Sequence, residues 1–175
     1  MPRFLTDDQL VAELNALGVH FLTGGDGARL TPSATPSELL VGLAQSRDAR
    51  VRSAIIPLLL IRPSLAGYGL KAIEQLRESD QNTLMLFYTA AMLLQAKHQA
   101  ELKALLGLYE PLPDLFSRRL NLTCSDNIDQ QLHQLSERHK TLTHCCVNWL
   151  GVYAHAAERS MKRLESEAAW QEPLV

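Results

Sequence analysis

Residues 133 to 146 concentrate side chains that could bind a metal ion. The segment holds three histidines and two adjacent cysteines: His133, His139, His144, Cys145 and Cys146. A zinc site needs such ligands to converge tetrahedrally, whereas adjacent residues on a helix point about 100° apart. No His-Glu-x-x-His pattern is present. We therefore expect no bound metal, and we predict that Cys145 and Cys146 are small buried residues.

The same cysteines could also act as nucleophiles. A helix N-terminus could lower the pKa of either thiol and so favour its thiolate. His144 is adjacent in sequence, but neighbours on a helix do not point in the same direction. Nothing else in the sequence identifies a substrate pocket, so thiol catalysis is not expected.

A glycine-rich stretch, TGGDGA at residues 23–28, is a candidate for phosphate binding. It lacks the Gly-x-x-x-x-Gly-Lys-Ser/Thr pattern of nucleotide-binding loops, and no lysine follows it to neutralise a phosphate. The glycines are explained by a turn that requires positive φ.

The stretch RHKTLTH, residues 138–144, resembles the Arg-x(4–6)-His motif of HEPN ribonucleases. Cys146 stands where that motif often has an aromatic residue. The resemblance implies an all-helical, metal-independent ribonuclease that pairs two motifs across a homodimer. It would assign phosphate binding to Arg138, proton transfer or ribose orientation to His144, and an auxiliary role to His139. The preferred alternative is a solvent-exposed segment that leads into a C-terminal core helix.

Four longer segments resemble uncharacterised bacterial helical proteins associated with small nucleotidyltransferases. They read LNALGVHFLTGG, SELLVGLAQSRDARVRSAIIPLLLIRP, YEPLPDLFSRRLNL and VNWLGVYAHAAERSMKRL. The resemblance implies a partner subunit, in a pair of the toxin–antitoxin type. The chain lacks the Gly-Ser loop and Asp-x-Asp pair with which a nucleotidyltransferase holds magnesium. It would therefore be the non-transferase member, a non-enzymatic subunit that binds a protein partner.

Two basic clusters and one tryptophan are the candidate partner-binding residues: Arg47, Arg50, Arg52, Arg118, Arg119 and Trp170. The arginines could contact an acidic partner, although most basic clusters of this kind simply lie on a solvent-exposed helix face. Trp170 must either dock on its own domain, which we favour, or provide an anchor for another chain.

Helix signals dominate the elements that must position these residues. Thr6 and Thr35 each begin a capping box, and Gly18 and Gly107 are placed to end helices. Pro57 should bend or end a helix. Residues 84–94, LMLFYTAAMLL, are apolar around the full circumference, which predicts a central helix over about residues 80–106.

The remaining periodicity predicts an amphipathic helix containing Leu132 and Leu135, and a last helix that starts near Thr143. We therefore predict an all-α, single-domain bundle of six or seven helices over residues 1–175. A short irregular or hairpin segment lies near residues 19–30, residues 23–37 form a loop, and residues 168–175 form a tail.

Composition limits the class of function. A net charge of −2 provides no positive field for general binding to nucleic acid or to an anionic membrane. The first residues do not read as a signal peptide, and an odd number of cysteines makes a poor disulfide framework. These features predict a cytoplasmic protein without a cofactor.

Overall fold

Helix α6, Glu78–Lys97, is the central element of the fold in the computed structural model, which describes residues 4–22 and 32–171. Its residues 84–91 are all buried, as the apolar sequence of this stretch predicts. In chain order, the other helices are α1 Asp7–Ala16, α2 Pro36–Gln45, α3 Ala49–Ser53, α4 Ile55–Ile61, a 3-10 helix Pro63–Tyr68, α5 Gly69–Ile73, α7 Gln99–Leu106, α8 Ile128–Thr143 and α9 Trp149–Gln171. Helices α4, α8, α2 and α9 pack around α6.

The all-α, single-domain prediction is confirmed, but the chain forms more and shorter helices than the six or seven predicted. The predicted interruption near Pro57 is present, although it falls at Ala54, three residues earlier. The helix predicted over about residues 80–106 is also broken. Pro57 is the third residue of α4, and in an unbroken helix its missing N–H would have bonded to the carbonyl of Ser53. The break at Ala54 avoids this conflict. Helix α7 separates from α6 at His98, which leaves helical geometry at φ −104° and ψ 26°.

The predicted helix ends at Thr6, Gly18, Thr35 and Gly107 agree with the structure. Both capping boxes are present: Thr6 accepts a hydrogen bond from the Gln9 backbone, and Thr35 accepts one from that of Glu38. Gly18 and Gly107 have φ of +80° and +70°, so they provide the left-handed residue that follows a helix.

The long connection between α7 and α8 is fixed to the core by two side chains of α6. The buried amide of Gln95 donates to the carbonyl of Glu110 and accepts from the N–H of Leu112, both at 2.8 Å. The hydroxyl of Tyr88 donates to the carbonyl of Pro113 at 2.9 Å. Backbone groups in a segment without regular structure are therefore paired inside the protein.

Some predicted features lie partly outside the described residues. Residues 19–22 form no strand, and residues 23–31 are not described, so the segment near residues 19–30 is seen only in part. Residues 168–171, assigned to the tail, continue α9, and α2 begins at Pro36, inside the predicted loop.

No single helix within residues 4–22 and 32–171 is long and apolar enough to cross a membrane. Residues 49–61 and 63–73 pass that test only together, and a bend of 118° separates them.

Candidate functional site

A cleft of about 570 Å³ lies between α3, the first half of α6, and the junction of α8 with α9. We call it the His139 cleft. Its volume falls within the range of small-molecule sites, which are mostly apolar with a few polar groups. Its lining contains both classes of side chain: Phe87, His139, Leu142, Val147, Trp149 and Val152 are apolar or aromatic, and Ser46, Arg50, Arg52, Ser53, Ser79, Asp80, Asn82, Thr83 and Thr143 are polar.

His139 is the buried centre of this site. Its ring stacks on that of Trp149, with centroids 3.4 Å apart and planes within 6°. The edge of Phe87 approaches it at 5.2 Å. Its Nδ1 forms a hydrogen bond of 2.7 Å with the hydroxyl of Tyr153. Burial, reinforced by the charge of Arg52, lowers the pKa of His139 to about 3, so the ring is neutral at neutral pH.

The turn between α8 and α9 explains this arrangement. Helix α8 ends at Thr143, and His144 adopts the left-handed conformation with φ 51°. The chain then returns through exposed residues 144–148, and α9 begins at Trp149. The prediction that the last helix starts near Thr143 is therefore wrong by six residues. The reversal brings Trp149 back onto His139.

Arg52 closes one side of the cleft. Its Nη1 donates to the carbonyls of Ser46 and Arg47, at 2.7 and 3.0 Å, and so satisfies the end of α2. No other described residue accepts a hydrogen bond from the Arg52 side chain. Arg50 also lines the cleft, but it pairs with Asp48 at 2.9 Å, and this hydrogen bond lowers the pKa of that carboxyl.

The other predicted partner-binding arginines lie elsewhere. Arg47 is exposed and lines a neighbouring cavity of about 640 Å³, together with Phe4 and Arg77. Arg118 and Arg119 are exposed in the turn after Phe116. Of the three arginines clustered at residues 47–52, only Arg50 and Arg52 therefore line the His139 cleft.

The ribonuclease motif is divided between two environments. Arg138 is half-buried on α8, and its Nε is buried without a hydrogen-bond partner in the described structure. His144 is exposed, beyond the end of α8. Neither residue lines the His139 cleft, whereas the intervening His139 does. The segment at residues 138–144 is therefore only partly the exposed approach that the sequence suggested.

The cysteines do not have the role that we predicted. Cys145 and Cys146 are exposed rather than buried, because they lie in the connection between two helices instead of on a helix face. All three cysteines are free. Within residues 4–22 and 32–171, no three His, Cys, Asp or Glu side chains come together to hold a metal. The glycine-rich stretch at residues 23–28 lies outside the described residues.

Trp170 does not dock on its own domain. Its side chain is 89% exposed near the end of α9. The last buried residue of this helix is Met161, and Leu164 is half-buried. Residues 165–171 are otherwise exposed except for the half-buried Glu167, so the end of α9 projects from the bundle.

The sequence did not identify Phe87 and Trp149 as parts of a site, nor His139 as a core residue. A signal for His139 was present, since Leu132, Leu135, His139 and Leu142 follow helical steps of three, four and three along one face of α8. The positions of Phe87 and Arg52 had no such signal, because they depend on packing between distant helices.

No protein family, no curated protein and no solved structure matches this chain.

Proposed function

We propose that this chain is a non-enzymatic helical subunit that binds another protein, and that the projecting end of α9 carries its binding surface. The observation that carries the proposal is the 89% exposure of Trp170 on a regular helix. A large aromatic side chain in solvent gains nothing for the monomer, whereas tryptophan is enriched among residues that dominate binding energy.

The surroundings of Trp170 support a helix that inserts into a groove. Ala168 and Ala169 are small and exposed, so a partner can approach the helix closely. Glu165 is exposed, and Glu167 is paired with Arg163 at 3.0 Å. The expected partner surface is an apolar groove with basic residues at its edge. The resemblance to nucleotidyltransferase-associated proteins suggests a nucleotidyltransferase, in a pair of the toxin–antitoxin type.

The test is affinity capture from the native cell with the tagged full-length chain. We expect the wild type to retain a nucleotidyltransferase, and Trp170→Ala to lose it, with at least about tenfold weaker binding when the two purified proteins are mixed. Leu70→Ala is a matched control, because Leu70 is a 51% exposed apolar residue on a different helix, α5. Equal capture by the wild type and Trp170→Ala would contradict the proposal.

A second candidate is a HEPN-like ribonuclease that uses Arg138 and His144. It is favoured by the unpaired Nε of Arg138, which a phosphate oxygen could satisfy if the side chain moved outward and exposed this buried atom. His139 could then only orient the site, since its pKa of about 3 prevents proton transfer near neutrality.

Incubation of RNA with the purified chain separates this candidate from the first. The ribonuclease hypothesis requires cleavage that Arg138→Ala or His144→Ala abolishes while the protein stays folded. Lys140→Ala is the control, because Lys140 is a basic neighbour that is bound to Glu137 on the surface of α8. Intact RNA after incubation with the wild type would exclude this function.

A further inference from the structure

The His139 cleft has a preorganised aromatic wall. Phe87 is 2% exposed, and its ring meets those of His139 and Trp149 edge-on, at 5.2 and 6.2 Å. His139 and Trp149 stack on each other, so each of the three rings contacts the other two. These contacts hold the rings in place without a ligand, so an apolar molecule could bind against them at little conformational cost.

The hydrogen bond between His139 and Tyr153 determines which histidine nitrogen carries the proton. Tyr153 is 1% exposed, and burial raises its pKa above the ordinary value, so its hydroxyl keeps its proton. Nδ1 of His139 is the only partner of that hydroxyl in the described structure. If Nδ1 donated, the buried O–H of Tyr153 would be left without an acceptor. The hydroxyl therefore donates to Nδ1, and the proton of the neutral ring is on Nε2.

His139 thus offers the cleft an N–H donor. Nε2 has no hydrogen-bond partner among the described residues, and it is not fully buried. A donor that is held by its neighbours and still unpaired is suited to an acceptor oxygen on a ligand.

Arg52 adds a second set of donors. Its Nη1 is occupied by two backbone carbonyls, so the guanidinium is held in place, while Nε and Nη2 have no partner among the described residues. These two nitrogens form the side edge of the guanidinium, and two parallel N–H groups match the two oxygens of a carboxylate. Arg52 and His139 both line the cleft, so the two sets of donors belong to one site.

We propose that the His139 cleft binds a small aromatic carboxylate. The carboxylate would accept hydrogen bonds from the Nε and Nη2 edge of Arg52 and from Nε2 of His139. The apolar body would lie against the partly exposed Trp149 and Val152, and the buried Phe87 would support Trp149 from behind. Asp80 lines both this cleft and the neighbouring cavity, so it lies at the boundary between the two. Such a site is independent of the proposed partner surface, because Trp149 and Trp170 are at opposite ends of α9, about 32 Å apart at the helical rise per residue.

The two tryptophans allow a direct test by nuclear magnetic resonance. The chain has only two indole N–H groups, and Trp170→Phe assigns both signals. We expect trans-cinnamate to shift the Trp149 signal and leave the Trp170 signal in place. The uncharged isostere trans-cinnamamide should bind at least about tenfold more weakly, since it lacks the anion. Phenyl phosphate tests the other common anion and should also bind more weakly.

Two substitutions locate the site. Arg52→Lys keeps a positive charge but loses the paired donors, and should weaken cinnamate binding about tenfold. Ala49→Phe places a ring in the cleft from an exposed position at the start of α3, so that it blocks binding without removing an internal contact. Ala104→Phe is its matched control, because Ala104 is exposed on α7, away from the cleft.

Three results would overturn the proposal: no shift of the Trp149 signal with cinnamate, equal binding of the amide, or tighter binding of phenyl phosphate. Undiminished binding by Ala49→Phe would also overturn it, since the ligand would then be elsewhere. None of these results affects the Trp170 proposal, which depends on capture of a protein.

Discussion

The two ends of α9 present the same residue type in opposite states. Trp149, at the first position, is half-buried, stacked on His139 and met by the edge of Phe87. Trp170, near the last position, is 89% exposed. The difference arises from what packs against each end: rings from α8 and α6 contact Trp149, whereas residues 165–171 are exposed except for the half-buried Glu167. One tryptophan therefore contributes to the stability of the fold, and the other is free to contribute to binding.

The largest expected effect is at the buried end. Trp149→Ala removes the ring that stacks on His139, and should lower the free energy of unfolding by about 3 kcal/mol. Chemical denaturation followed by circular dichroism measures this loss. An effect as small as that of an exposed residue would show that the two ends do not differ as described.

The second prediction concerns the dependence of stability on pH. Because the pKa of His139 falls from an ordinary 6.5 to about 3 in the folded protein, only the unfolded chain takes up this proton between those values. This contribution makes the fold less stable as the pH drops below 6.5, by about 2.5 kcal/mol at pH ~4.5. His139→Gln lacks the titration and serves as the control. Parallel stability profiles for the two proteins would contradict the assignment.

A smaller effect is expected at the hydrogen bond behind the stack. Tyr153→Phe keeps the ring but leaves Nδ1 of His139 without its partner, which should cost about 1.5 kcal/mol. Thermal unfolding of Tyr153→Phe, His139→Gln and the double variant gives the coupling between the two residues. Additive losses would mean that this hydrogen bond contributes no stability of its own.

The smallest effect on stability should be at the exposed end. Trp170→Ala removes a side chain that makes no internal contact of consequence, so the free energy of unfolding should change by less than about 0.5 kcal/mol. The denaturation experiment used for Trp149→Ala provides the comparison. A loss of similar size in both variants would mean that Trp170 packs against its own chain.

Local signals allowed most of the fold to be predicted from the sequence. The capping boxes at Thr6 and Thr35, the glycines that end helices and the apolar circumference of α6 all depend on residues within a few positions of each other. The break at His98 could not be predicted, because it contains neither proline nor glycine. The start of α9 was misplaced because residues 144–148 contain no strong helix breaker.

The candidate site was harder to predict, because its residues come from separate parts of the chain. The sequence identified Arg52 as a candidate for partner binding and His139 as an auxiliary residue of the ribonuclease motif, and these two patterns are unrelated. Their meeting depends on α3 and α8 flanking α6, a feature of tertiary packing that no short pattern contains. The sequence allowed two positions for Trp170, docked or exposed, and the exposed position is the one that we did not favour.

The hydrogen bonds of Gln95 to Glu110 and Leu112 make residues 110–112 part of the cooperative core. The amide of Leu112 cannot exchange with solvent until its bond to a side chain buried in α6 has opened. Deuterium should therefore replace this proton about as slowly as the protons of the central helix. A protease should likewise spare this segment, despite its lack of regular structure.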